Sequence, residues 1–139
     1  MSSEKLRTEA TRWLNTALED LDAAKIMRDN KKFAHACFLS QQASEKGLKS
    51  VHFFLDADPW GHSIVNLISE LKEINPKVFE AFETSISSAR ILDRFYIPTR
   101  YPDGLPDIIP SEAFGKEDSD TAIGIAASIL GLVHTILSS

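Results

Sequence analysis

Apolar residues in this chain return every three or four positions over stretches too long for any regular structure except the α-helix. Between residues 4 and 28 the step is kept by Leu6, Ala10, Trp13, Ala17, Leu21 and Ala24, with charged side chains between them. This predicts an amphipathic helix. Asn30, Lys31 and Lys32 interrupt it, and Phe33, Cys37, Ser44, Leu48, Val51 and Leu55 then form a second stripe ending at Asp56. Asp58, Pro59 and Gly61 punctuate the chain, and Ser63 is placed to cap a third helix to about Ile74, with Leu67 and Leu71 on one face. Pro76 suits the first turn of a fourth helix that passes Phe79, Phe82, Ile86 and Ile91 to about Tyr96. Asp118 or Ser119 opens the last helix, where Ala122, Ile125, Ile129, Val133 and Ile136 repeat. No segment alternates with the period of a strand. The prediction is an all-α fold, an up-and-down bundle of four main helices plus a short fifth, in one domain over residues 1–139.

Between the fourth and last helices the chain reads IPTRYPDGLPDIIPSEAFGK, with four prolines and two glycines in twenty residues. No helix is predicted there, and a loop of that length in a small domain is commonly functional. Gly124 and Gly131 in the last helix are expected to admit a close helix neighbour, in the core or in a dimer.

At 139 residues the chain can bury a core without cross-links, and its single cysteine, Cys37, has no internal disulfide partner. No run is read as the roughly 20 apolar residues of a membrane span, and MSSEKLRTEA has no charged-then-apolar leader pattern. The expectation is a soluble, cytoplasmic protein. Its formal charge of -5 is uneven: residues 25–52 carry net +4 and residues 103–139 net -5. The basic stretch is either an anion-attracting surface or a solvated helix face. With four histidines and one cysteine in the chain, a structural metal site is not expected.

Three motifs in order carry a resemblance: Gln41-Gln42-Ala43-Ser44-Glu45-Lys46-Gly47-Leu48-Lys49, then Gly61-His62-Ser63 opening a Leu-containing helix, then Thr99-Arg100-Tyr101-Pro102-Asp103 in the loop. Together with Trp13, Ala17, Asp20 and Leu21 and the small-residue last helix, they resemble the HEPN domain (higher eukaryotes and prokaryotes nucleotide-binding) from about residue 7 to 137. The resemblance implies a helical bundle, often a homodimer, that binds a nucleotide and requires no other cofactor. It further implies a partner such as a minimal nucleotidyltransferase, sometimes in a toxin–antitoxin pair. One branch of the family cleaves RNA with an Arg and a His separated by four to six residues near the final helix. Arg90, Arg94 and Arg100 have no such His, and the formal match Arg28 to His35 lies at the junction of the first two helices. No catalytic residue is therefore assigned. A ribonuclease with a non-standard site built on Arg94, Arg100 and Tyr101 is the alternative, and a pure dimerisation module is another.

The residues expected to bind ligand are Gln41, Glu45, Lys49, His62, Arg94, Arg100, Tyr101 and Asp103. Gln41, Glu45 and Lys49 share one edge of the second helix, so Lys49 either meets phosphate or pairs with Glu45 on the bundle rim. Pro98 and Pro102 stiffen the segment around Arg100, whose planar fork suits phosphate or carboxylate. Arg100 is read either as that contact or as a loop anchor paired with Asp103 or Glu45. Tyr101 can stack on a base or fill a groove. His62 is read as a capping or loop-pinning residue, and Phe53, Phe54 and Trp60 as core and helix-end packing.

Overall fold

The computed structural model describes residues 2–139, which are helical throughout with no strand among them. Three long helices form the frame: α1 (Ser3–Asp29), α2 (Phe33–Phe54) and, at the end of the chain, α7 (Lys116–Ser138). Between them run α3 (Ile64–Ile74), α4 (Pro76–Glu83), α5 (Ile86–Arg94) and a short α6 (Pro110–Ala113).

The helix starts follow from capping chemistry. Ser63 Oγ accepts the Asn66 amide at 3.1 Å, and Asn75 Oδ1 accepts the Val78 amide at 3.2 Å ahead of Pro76. α1 and α2 close with the same device. Lys32 N donates to Met27 O at 2.8 Å and Lys31 N to Arg28 O at 2.9 Å, which is a Schellman motif with Lys31 in the left-handed region (φ 62°). At the end of α2, Ala57 N reaches His52 O at 2.9 Å, Asp56 N reaches Phe53 O at 3.0 Å, and Asp56 has φ 58°.

α1 and α2 run antiparallel, tied by Ser50 Oγ donating to Ala10 O at 2.7 Å and by the Lys46–Asp20 ion pair at 2.7 Å. α7 lies on both. The Arg7 guanidinium donates to the Leu137 carbonyl at one end, and Arg28 meets Asp120 at 3.5 Å at the other, so α7 is antiparallel to α1. The close approach is made by α2. A Cβ on Gly47 would fall 2.4 Å from Leu130 Cδ2, and Ala36, Ala43, Ser40 and Ser44 on the same helix are fully buried. Gly124 and Gly131 face outward into open space, so of their two expected uses the one in the core is not made.

Further expectations need correction. The helix predicted from Pro76 to Tyr96 is two helices, broken at Thr84-Ser85, with α4 and α5 both packing on α3 and both touching α7. The apolar stripe runs on regardless: Phe82, Ala89 and Leu92 are all fully buried at helical spacing. The proline loop also holds order, a 3-10 turn at Pro102–Gly104 and α6, where Pro110 takes the first position and Glu112 Oε1 accepts the Ile109 amide at 3.2 Å. α7 begins at Lys116 rather than Asp118, whose carboxylate instead accepts the Gly115 amide at 2.8 Å. By length and composition α7 also matches a membrane span, contrary to the reading of the sequence, although Ala122, Ala126, Ile129 and Val133 on it are buried inside the bundle.

His52, not singled out in the sequence, is a core residue. It is 1% exposed, and its Nε2 lies 2.8 Å from the Leu67 carbonyl, so that nitrogen carries the proton and donates. Trp60, expected to pack, is instead 76% exposed in the turn before α3, where Gly61 takes φ 83°.

Candidate functional site

α2 presents Phe38, Gln41, Glu45 and Lys49 along one edge, because steps of three and four return to the same face of a helix. Against that edge the fold brings His62 from the turn before α3, Tyr96 from the residues after α5, and Arg100 and Tyr101 from the proline loop.

Glu45 is the hub. It is 5% exposed, and its Oε2 accepts from Lys49 Nζ at 3.0 Å while Oε1 accepts from His62 Nδ1 at 3.1 Å and from Gln41 Nε2 at 3.4 Å. An ionised carboxylate only accepts, so His62 carries a proton on Nδ1 toward it. Gln41 is fully buried and spends the same amide on the His62 carbonyl at 2.9 Å, and Gln42 donates to Gln41 Oε1 at 2.8 Å. A buried carboxylate with this number of donors is a satisfied structural anion, which fixes the turn carrying His62 onto α2.

The second half of the site is aromatic. The His62 ring stacks on Tyr96 with centroids 4.6 Å apart and planes 19° apart. Three rings surround the Arg100 guanidinium: Tyr96 at 4.3 Å, Phe38 at 4.7 Å and Tyr101 at 5.0 Å. Its Nε donates to the Tyr96 carbonyl at 2.9 Å. No carboxylate among the described residues lies within ion-pair reach of Arg100, so the expected pairing with Asp103 or Glu45 is not made. π faces and one carbonyl hold the cation in place and leave its two terminal nitrogens for an acceptor.

Beside this cluster a cavity of about 190 Å³ is lined by His62, Ser63, Asp93 and Tyr96. Asp93 closes its floor: the carboxylate accepts from Ser63 Oγ at 2.8 Å, Ile64 N at 2.6 Å and Val65 N at 3.2 Å. It occupies the N-terminus of α3 as an internal anion. This role was not visible in the sequence, where residue 93 is thirty positions from Ser63.

Of the eight residues expected to bind ligand, the fold brings together Gln41, Glu45, Lys49, His62, Arg100 and Tyr101. Arg94 is exposed at the end of α5 and makes no contact with the cluster, and Asp103 is exposed in the 3-10 turn without an ion-pair partner among the described residues. Lys49 is 14% exposed at its side chain and belongs to Glu45 in the interior, not on the rim. Lys46 is held by Asp20, and Arg28 by Asp29 and Asp120, so much of the basic stretch is neutralised internally. Sequence reasoning missed Phe38 and Tyr96. An aromatic three positions before Gln41 on α2, and one four positions before Arg100, were the available signals.

A family model described as the HEPN domain matches residues 10–136. A Methanocaldococcus jannaschii protein named "Putative toxin MJ1304" is 26% identical over 132 residues, which span 90% of this chain and 86% of that protein. Among solved structures, TT1696 from Thermus thermophilus superposes with a TM-score of 0.83 at 33% identity, covering 91% of this chain and 97% of the other. The archaeal HEPN homologue ST0689 follows with a TM-score of 0.75 at 31% identity over 93% and 98%. A HEPN domain protein from Thermotoga maritima gives 0.70 at 28% identity over 91% and 98%.

Proposed function

The chain belongs to the HEPN domain family, and from that premise we propose that it is a non-catalytic member that binds a nucleotide beside Arg100 and acts with a separate nucleotidyltransferase. The observation that carries this reading is the state of Arg100. It is boxed by Phe38, Tyr96 and Tyr101 and free of any carboxylate among the described residues, and the Tyr96 ring that it rests on also stacks against His62. A fixed guanidinium with terminal nitrogens to spare suits a phosphate, and the half-exposed Tyr101 ring beside it offers a flat face for a base. Lys49 has no part in the phosphate contact, because Glu45 holds it.

The test is a thermal-shift and calorimetric panel of purine and pyrimidine nucleotides on the wild type, Arg100→Ala and Tyr101→Ala. A nucleotide at 100 times its Kd adds about 2.7 kcal/mol, several degrees for a domain of this size. Arg100→Ala is expected to weaken binding by about 10- to 100-fold, the worth of charge-assisted hydrogen bonds. A shift that is unchanged in both variants moves the ligand elsewhere, and no shift with any nucleotide ends the proposal. Coelution of the protein with a candidate nucleotidyltransferase tests the partner half.

One observation favours a second reading, an RNA-cleaving toxin; the M. jannaschii relative is named a toxin. The His62 imidazole and the Arg100 guanidinium both rest on the Tyr96 ring, which puts a proton carrier and a phosphate ligand in one cluster. Incubation with total RNA in EDTA separates the two. Cleavage lost in both His62→Ala and Arg100→Ala establishes the enzyme, and intact RNA leaves the binding protein.

A further inference from the structure

The polar lining of the cavity of about 190 Å³ holds spare hydrogen-bond acceptors and almost no spare donors. Asp93 Oδ1 accepts from Ile64 N at 2.6 Å, while Oδ2 takes both Ser63 Oγ at 2.8 Å and Val65 N at 3.2 Å. A carboxylate offers about four acceptor positions, so one on Oδ1 stays open. Ser63 spends its hydroxyl proton on Asp93 and one lone pair on the Asn66 amide at 3.1 Å, and keeps the other lone pair. His62 directs its Nδ1 proton at Glu45, which leaves Nε2 an acceptor on the neutral ring. The Tyr96 phenol is the one lining group still able to donate. A group that enters must therefore bring donors. It need not bring charge: the donors at the start of α3 and the dipole of that helix already hold Asp93 as an anion, and the Arg100 guanidinium nearby repels a second cation.

We propose that this cavity is a ribose pocket, in which the neighbouring 2′- and 3′-hydroxyls of a nucleotide donate to Asp93 Oδ1 and Ser63 Oγ, so that the site selects ribonucleotides over deoxyribonucleotides. The inference rests on the reading of Arg100 as the phosphate contact. Tyr96 joins the two: it lines the cavity, and its ring centre lies 4.3 Å from the Arg100 guanidinium, so sugar and phosphate sit one aromatic ring apart. The volume is that of about six liquid waters, enough for a sugar ring and too little for a whole nucleoside. A carboxylate that accepts vicinal ribose hydroxyls is a recurrent device for reading this sugar. An exocyclic base amine also donates, but the flat face open to a base is that of Tyr101, which is half-exposed and outside the cavity lining.

The test removes groups from the ligand before it touches the protein. Calorimetry on the wild type compares nucleoside triphosphates of each common base carrying ribose, 2′-deoxyribose or 2′,3′-dideoxyribose. The ribose form should bind about 10- to 100-fold more tightly than the dideoxy form, the worth of hydrogen bonds to a charged group. Arg100→Ala should weaken all three forms alike and keep that ratio, whereas Asp93→Asn should remove most of it. Asp93 also caps α3, so this variant is first shown to be folded by circular dichroism. If it does not fold, the wild type answers alone: nuclear Overhauser contacts should run from ribose protons to the Tyr96 and His62 rings. Equal affinity for the three sugars overturns the ribose pocket and leaves Arg100 as a phosphate site. A folded Asp93→Asn protein that keeps the full ratio overturns it as well, as do ring contacts made by base protons in place of sugar protons. A wild type that binds no nucleotide of any sugar overturns both this inference and the reading beneath it.

Discussion

Lys49 shows how far a spacing argument reaches at the scale of one residue. Its step from Glu45 predicted an ion pair, and the pair is present, but with both partners shielded its removal takes the lysine cation from a buried carboxylate and leaves it the His62 and Gln41 donors. Lys49→Ala should therefore cost about 3 kcal/mol in urea unfolding while leaving nucleotide affinity of the folded protein within a few-fold. Wild-type stability with binding lost would make Lys49 a phosphate contact after all. Cys37 is a second case. It is fully buried, and that burial, with the Asp118 carboxylate adding to it, pushes the thiol up to about 12 from the usual 9.0. The folded state thus holds a proton that the unfolded state releases, so stability is intact below pH 9 and falls between pH 9 and about 12. Cys37→Ala should flatten that part of a pH titration of unfolding relative to the wild type, and native wild type should resist a thiol reagent until it unfolds. The residues of the site were legible where they share one helix: Gln41, Glu45 and Lys49 are a local pattern. The box around Arg100 was not, because Phe38 and Tyr96 come to it from separate elements and only the fold measures that distance.

Among the elements, periodicity located every long helix to within a few residues, since a buried stripe is a property of consecutive sequence. It missed the break at Thr84-Ser85, where the buried stripe continues across two residues outside both helices, and of the two uses open to Gly124 and Gly131 the approach inside the bundle is not made, because a small residue shows on which helix an approach can occur but not from which side. Gly47 is the glycine the packing uses. The helix ends hold a testable strain. Lys31 occupies a left-handed position that glycine fills without penalty, so Lys31→Gly should stabilise the protein by about 1 kcal/mol, read as a raised melting temperature. A lower melting temperature would mean that the lysine side chain contributes more than its backbone costs.

The whole molecule is two parts of unequal depth. α1, α2 and α7 pack along most of their lengths, while α3, α4 and α5 lean on one side, joined to the frame through Glu45 with His62 and through His52 with Leu67. Native-state hydrogen exchange should find the highest protection in the three long helices and a common, earlier opening of α3 to α5, with residues 97–115 exchanging first. Uniform protection across all seven helices would make the bundle a single cooperative unit. Trp60 also makes the region open to optical measurement. Of the two indoles, Trp13 lies against Phe53 with centroids 5.1 Å apart and its Nε1 on Glu9, while Trp60 stands in water two residues from His62. A collisional quencher reaches the second more readily than the first, which is only partly exposed. The chain therefore carries its own fluorescent gauge at the margin of the candidate site, beside an internal standard, and whatever docks near His62 can be followed without a label.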